Sequence, residues 1–483
     1  VMALTQSSVG FVRDEGYYFT AAQSYEAWLR LLLKAPLQAL AQTERYWSYN
    51  FEHPGLTKLL FALSHLLFSQ YLGDVLAWRL PAFLFAGLLS YWLCLLASQR
   101  SRAAGVLAPL LFWGAERTFF HGHLACFDIP ICAMTAGVAV AWLRARPLKF
   151  AAVYGVALAV KHNAWFLPPV LLVHALLLPR EERNAALRKL RWILLSPLVL
   201  LACWPLLWHD PLRHLGDWIA FHTHHVHYAW YYFGEVLRAP LFPIAYPLVL
   251  DALVLPLPIA VLLTAAGVKL VTDFARRKID SQRLLELGLA GAAVLPFMFT
   301  TTPIFGGIKH WLAFLALLAP EAADLLVRIA PSPALGAAAA LLPGLYQIAH
   351  VHPYGTSAYG ELAGGIPGAA SLGMQRQYWS NNATFVLPWL NANCPPGARV
   401  YFHEVNIESY RVYVLSGKLR DDIRYAPGPG DADYAALQWH REFRDREPET
   451  WNAFGTHRPA FGLYLDETPQ VVVYARHGFP GAP

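Results

Sequence analysis

Three carboxylates and five basic residues stand where apolar runs give way to polar loops. Asp14 and Glu15 lie in RDEGYYFTAAQSY, Asp128 in HGHLACFDIPICAMTAG, Lys58 in FEHPGLTKLL, Lys161 and His162 in VKHNAW, and Lys309 and His310 in GGIKHWL. A carboxylate at such a boundary is costly unless it meets a metal, a cation or a hydrogen-bond donor. Paired Lys and His at the same boundary suit a lipid phosphate. Each feature also has a plainer explanation. Asp14 and Glu15 fit the first turn of an exposed helix, where the macrodipole favours them; such a helix brings Tyr17 and Tyr18 beside Asp14. Asp128 fits an N-cap ahead of Pro130. Lys58 fits a snorkelling side chain, and Lys161–His162 an ordinary interhelical loop. His222, His224, His225 and His227 could ligate a metal through i, i+3 pairs, or simply mark an interfacial helix. Taken together, three basic spots facing two carboxylate spots are more specific than any one alone.

The elements that must position these groups are membrane helices. Of 483 residues, 56% are hydrophobic and 14% charged, against roughly 25% charged in soluble domains. Apolar runs fall near 75–97, 103–120, 129–143, 147–161, 164–178, 190–208, 244–266, 285–301, 310–327 and 334–350, which predicts about 10 transmembrane helices. The run at 56–72 carries Lys58, Ser64 and His65 and reads as an interfacial helix. The net charge of +6 is concentrated in short connections: 98–102, 144–149, 179–191, 269–283 and 329–333. With 56–72 on the surface these all fall on one side, which the positive-inside rule makes cytoplasmic. That pattern argues for membrane topology and against nucleic-acid binding. The chemistry-bearing residues then share the opposite, extracytoplasmic face, with 209–243 forming a juxtamembrane helix and an aromatic loop.

Three regions follow: an outer segment with juxtamembrane helices (1–74), a transmembrane helical domain (75–350) and a small mixed α/β extracytoplasmic domain (351–483). In the last, ARVYF (398–402), YRVYVL (410–415), AFGLYL (460–465) and QVVVYAR (470–476) read as strands and WHREFRDREP (439–448) as helix. The five cysteines show no CxxC spacing, which argues against a disulfide framework or a zinc-thiolate site. Residues 1–10 show no cleavable signal peptide.

The whole pattern resembles the bacterial protein O-mannosyltransferase-like branch of the GT-C glycosyltransferases, to which the lipid A aminoarabinose transferases are related. DEGYY (14–18) looks like the family's acidic pair. EHPGLTK (52–58) looks like its His-Pro-Pro-Leu-x-Lys element, with Gly55 for the second Pro. FDIP (127–130) looks like its Asp-Pro, VKHNAW (160–165) like the Lys closing the fifth span, and GGIKHWL (306–312) like an Arg-His-Leu-Pro element with Lys309 in the Arg position. HPYGTSAYGELAGGIPGA (352–369) and QYWSNN (377–382) resemble the opening of the outer domain. The resemblance implies a further transmembrane helix ahead of the acidic pair, where thirteen residues stand here.

It also implies a multi-pass protein of the bacterial inner membrane that moves a sugar from a polyprenyl-phosphate donor to a hydroxyl of a protein, lipid or glycan, with inversion. Asp14 is then the base, positioned by Glu15. Asp128 binds acceptor or, with Asp14, holds a divalent cation such as Mg or Mn. Lys58, Lys161, His162, Lys309 and His310 hold the leaving phosphate, and His53, Tyr17 and Tyr18 contact substrate. A transporter or flippase of a lipid-linked substrate is the alternative, although transporters favour midplane charges and inverted repeats, and no repeat is evident.

Overall fold

The computed structural model describes residues 1–237, 242–439 and 446–482. The first long helix, Arg13–Lys34, opens with Asp14 and Glu15 in its first turn, where the free N–H groups favour acidic side chains. It buries Tyr18, Phe19, Ala22, Tyr25 and Trp28, a stripe at helical spacing. The Leu56–Leu72 helix ends at Gly73, whose φ of +74° sets the reversal into Asp74–Ala97. His65 ties these three helices together: one ring nitrogen lies 2.6 Å from Glu26 and the other 3.0 Å from Asp74. Leu67, Phe68, Tyr71 and Leu72 stay exposed on the 56–72 helix, an apolar face suited to the membrane interface.

The Asp128–Arg144 helix is buried from Asp128 to Trp142 and forms the centre of the bundle. Among the described residues three helices are long and apolar enough to cross a membrane: Asp74–Ala97, Leu257–Ala275 and Pro333–Val351. Other runs read as single spans are shorter or broken. Pro147–Val160 stops at Lys161, a 3-10 turn covers His162–Phe166, and a new helix runs Leu167–Leu177. Fourteen residues rise only ~21 Å, less than the ~30 Å hydrocarbon thickness. The breaks fall where proline starts a new helical turn, as at Pro168, Pro197 and Pro205.

Beneath the bundle, at the end carrying the basic connections, Glu321 is fully buried and meets Arg283 at 2.7 Å, Lys269 at 3.3 Å and Arg100 at 3.4 Å. Arg283 also reaches Asp324 at 2.8 Å, and Arg100 pairs with Glu286. The basic loops are thus neutralised in part by carboxylates at the ends of neighbouring helices, which loop composition alone does not reveal.

Beyond residue 398 a five-stranded sheet forms in the order β4-β3-β5-β7-β6. The strands are β3 (Arg399–Phe402), β4 (Arg424–Ala426), β5 (Tyr434–Gln438), β6 (Phe461–Leu465) and β7 (Thr468–Ala475); β1 (Trp230–Tyr232) and β2 (Glu235–Leu237) make a separate hairpin in the long loop. β3 is parallel to β4 and β5, whereas β7 is antiparallel to β5 and β6. Three of the four expected strands are present. The fourth, 410–415, belongs instead to the Ile407–Leu415 helix. Asn406 caps it, accepting from the Ser409 N–H at 3.1 Å, and Ser409, Val412 and Tyr413 form its buried face, so a period of three to four overrides β propensity. The helix expected at 439–448 lies largely outside the described residues; the described helix there is Arg446–Phe454.

Replacing Glu321 by Ala leaves Arg283 and Arg100 without their shared buried partner. Removing one member of a buried ion pair costs about 3–5 kcal/mol. The expected outcome is a clear drop in the thermal midpoint of the detergent-solubilised protein, with Glu321→Gln intermediate; an unchanged midpoint would show that the network holds nothing.

Candidate functional site

The site begins with Arg79, a fully buried guanidinium on the Asp74–Ala97 helix. Its Nε and Nη2 each donate to one oxygen of Glu15, both at 2.8 Å. The same side chain donates to the carbonyls of Gln6 (2.9 Å), Val9 (3.3 Å) and Gly10 (3.1 Å). Glu15 also accepts from the Ala125 and Val12 N–H groups at 3.0 and 3.3 Å. Both its oxygens are therefore occupied, and it does not line the cavity. Its work is to fix the start of the helix, so that its neighbour Asp14 points the other way.

Asp14 faces a cavity of about 600 Å³, within the range of small-ligand sites. Two lysine–carboxylate pairs line it: Asp14 Oδ2 to Lys309 Nζ at 3.1 Å, and Asp128 Oδ1 to Lys161 Nζ at 2.7 Å. Lys309 sits in a 3-10 turn, Gly307–Trp311. A Cβ on Gly306 would strike the Lys309 side chain at 2.3 Å, and one on Gly307, at φ +56°, would strike Tyr378 at 2.9 Å. The Gly-Gly pair is what lets Lys309 fold back over the Trp379 ring, 3.9 Å from its centroid. Asp128 lies in the first turn of its helix and Lys161 caps the end of Pro147–Val160, so both charges also suit the helix dipoles.

Beside the second pair stand His53, His162 and His222, each offering a ring nitrogen within 4.8 Å of the others. Nδ1 of His53 and Nδ1 of His162 are buried without a hydrogen-bond partner among the described residues. The His222 Nε2 lies 2.8 Å from the Glu52 carbonyl, an arrangement that leaves Nδ1 to accept. Burial holds His53 and His162 well below the ordinary histidine range, and pushes His222 down to about 4, with Lys161 adding to each shift. Burial likewise holds His310 low; its Nε2 accepts the Phe305 N–H at 3.3 Å. These histidines are neutral at pH 7. His162 and His310 thus bring no positive charge for a phosphate, and the lysines remain.

Asp14, Tyr17, Tyr18, His53, Asp128, Lys161, His162, Lys309 and His310 all line this one cavity. Lys58 does not. It is fully buried behind the loop, donating to both the carbonyl and Oδ1 of Asn50 and to the His53 carbonyl at 3.2 Å, and burial pushes it down to about 7. Its role is to shape the loop that carries His53. Asp14 and Asp128 each engage a lysine, so the expected metal pair is not what the geometry offers; among the described residues the group with metal-ligating spacing is the three histidines. Glu52, in EHPGLTK, also lines the cavity, as do Arg13, Trp230, Phe305, Trp379 and Glu404, which the sequence does not single out. Arg13 adjoins Asp14 in RDEGYY and Trp379 stands in QYWSNN, whereas Glu404 carries no local signal.

Comparison with known proteins places this geometry. No family model and no curated protein matches the chain. Solved structures do, among them ArnT from Cupriavidus metallidurans in the apo state (TM-score 0.56, 15% identity), and ArnT from the same organism bound to undecaprenyl phosphate (TM-score 0.53, 14% identity). Each match covers 98% of this chain and 95% of the other.

Two outcomes follow from the site's construction. Arg79→Ala leaves Glu15 buried and unpaired, at a cost of about 3–5 kcal/mol, and Arg79→Lys recovers charge without the fork. Thermal unfolding should rank wild type above Lys and Lys above Ala. The neutral histidines make stability pH-dependent: below the unfolded value near 6.5 the unfolded chain takes up protons that the folded chain refuses. The thermal midpoint should fall as pH drops from about 6.5 towards 4, and His222→Gln should flatten that slope. An unaltered slope would remove the histidines from this role.

The nearly full-length match in both directions shows that the chain shares the fold of these ArnT structures.

Proposed function

We propose that this chain is a membrane glycosyltransferase that moves a sugar from a polyprenyl-phosphate donor to an acceptor hydroxyl, with inversion, at the outer face of a bacterial inner membrane. The observation that carries this reading is the pair of lysines, Lys161 and Lys309, each held against an aspartate in one cavity. The fold shared with ArnT, one of whose structures is bound to undecaprenyl phosphate, supports the donor class. The region boundaries at 74 and 350 and about ten crossings belong to the same reading.

The chemistry follows from exchange of partners. A donor phosphate entering the cavity competes with Asp14 for Lys309 and with Asp128 for Lys161. Phosphate–lysine pairs in a water-poor site are strong. As Lys309 turns to the phosphate, Asp14 loses its cation and gains proton affinity. It then accepts the proton of the acceptor hydroxyl as that oxygen bonds to the anomeric carbon. The carbon–oxygen bond to phosphate breaks on the opposite face, and the lysines take the departing charge. The transition state is oxocarbenium-like, so stabilising the leaving phosphate is worth as much as the base. Tyr17, Tyr18 and His53 border the space left for sugar. A metal, where one binds, fits the three neutral imidazoles. Imidazole sets suit zinc-type ions, whereas Mg and Mn prefer oxygen ligands.

Asp14→Asn removes the base while keeping the shape. Loss of a general base costs typically 10²–10⁴-fold. Transfer measured with a radiolabelled polyprenyl-phosphate sugar should fall by about that factor, while undecaprenyl phosphate binding, followed by tryptophan quenching, is retained or tightens, because the amide no longer competes with the phosphate for Lys309. Full transfer activity in Asp14→Asn contradicts the assignment of the base.

A further inference from the structure

The cavity lining differs in burial. Lys161 and Lys309 are buried in it, whereas Arg13, Tyr17 and Glu404 are half-buried and Tyr228 is exposed. Arg13 Nη1 donates to Glu404 Oε2 at 3.2 Å, and these side chains keep 39% and 25% of their exposure, whereas Lys309 keeps 5%. Arg13 also lies close enough to Tyr17 and Tyr228 to feel both hydroxyls.

Glu404 arrives there from the other part of the molecule. It follows β3, which pairs in parallel with β4 and β5, and the crevice beyond the carboxyl ends of parallel strands is where open α/β sheets place ligands. Its φ of +62° is left-handed, as are those of Trp379 (+69°) and Ser380 (+63°). Non-glycine residues adopt that conformation at a cost and collect where a side chain has a particular target. The surroundings hold it there. Arg13 N–H donates to the Trp379 carbonyl at 3.1 Å, and Asn406 Nδ2 donates to the Arg13 carbonyl at 3.2 Å. The turn carrying Glu404, the turn carrying Trp379 and the residue preceding Asp14 are therefore fastened as one unit.

Arg13 and Glu404 together present both hydrogen-bond donors and acceptors at the more exposed part of the lining, the mixture that a polyhydroxy ligand needs. We propose that Arg13, Glu404, Tyr17 and Tyr228 form the acceptor subsite, and that it takes a saccharide. Glu404 and Arg13 supply acceptor and donor groups for sugar hydroxyls. Tyr17 and Tyr228 supply aromatic faces, which suit the C–H surface of a pyranose. Arg13 immediately precedes Asp14, and both line the same cavity. β3 is paired on both sides, so it offers no free edge beside Glu404 to an added peptide strand. This inference rests on the glycosyltransferase reading of the same cavity.

The test uses the full chain in nanodiscs, with undecaprenyl phosphate as donor-side probe and two acceptor-side probes: a set of octyl-linked mono- and disaccharides, and a Ser/Thr-rich peptide. Protection of the 404 turn and of residues 13–18 from hydrogen exchange reads acceptor binding. At least one saccharide should protect both segments and bind at least tenfold more weakly to Glu404→Gln, with undecaprenyl phosphate binding unchanged within twofold. Tyr228→Phe keeps the ring and should retain saccharide binding, whereas Tyr228→Ala should lose it. Protection by the peptide, or by none of the probes, overturns the subsite. Failure of undecaprenyl phosphate itself to bind the wild-type protein overturns the donor reading instead, so the two failures are distinct.

Discussion

A carboxylate withdrawn from water beside a membrane must find a cation, and the Arg79–Glu15 pair is where this chain meets that demand most completely. Both side chains are fully buried, and the guanidinium is shared between a carboxylate and three carbonyls. Such pairs add little net stability over an apolar alternative, and their value lies in fixing one geometry. Here the geometry is the direction of the first helical turn. With Glu15 held inward, Asp14 faces the cavity, Arg13 reaches Glu404, and the segment before the helix is pinned to the bundle. The carboxylate that faces the cavity is aimed by the one that does not line it.

The same demand organises the other charges. Asp128 meets Lys161, Asp14 meets Lys309, and Glu321 gathers three cations at the far end of the bundle. The pairs differ in burial and hence in use. Arg79–Glu15 is sealed and serves as a fixed joint. Asp14 keeps 26% of its side-chain exposure, so its lysine has another partner within reach when an anion enters. Under the proposed function, lysines that neutralise their aspartates until a phosphate takes them over avoid holding bare charge in a water-poor cavity.

Much of the site was legible in the sequence because membrane chains punish stray charge. Asp128, Lys161 and Lys309 stood out since each interrupts or borders an apolar run, Asp14 as part of an acidic pair, and all four meet in one cavity. Lys58 stood out for the same reason, yet it turned inward to satisfy three loop acceptors, and composition cannot tell a lysine facing a ligand from one facing carbonyls. Glu15 and Asp14 are adjacent and chemically alike; only Arg79, more than sixty residues on, separates their roles. The histidines were visible as residues but not as neutral ones, because the burial that discharges them comes from packing. Glu404 was invisible: it depends on a left-handed turn after a strand whose neighbour helix reads as β from propensity. Helix count was blurred by prolines that break apolar runs into shorter pieces.

The central claim is that Lys161 and Lys309 exchange their aspartates for a lipid phosphate. The most direct measurement is a cryo-electron microscopy structure of the full chain in nanodiscs with undecaprenyl phosphate. The account predicts phosphate density in the cavity within hydrogen-bond distance of both lysine nitrogens, with the Lys309–Asp14 contact opened. Phosphate density elsewhere on the protein, or inside the cavity with both lysine–aspartate pairs still closed, would contradict it.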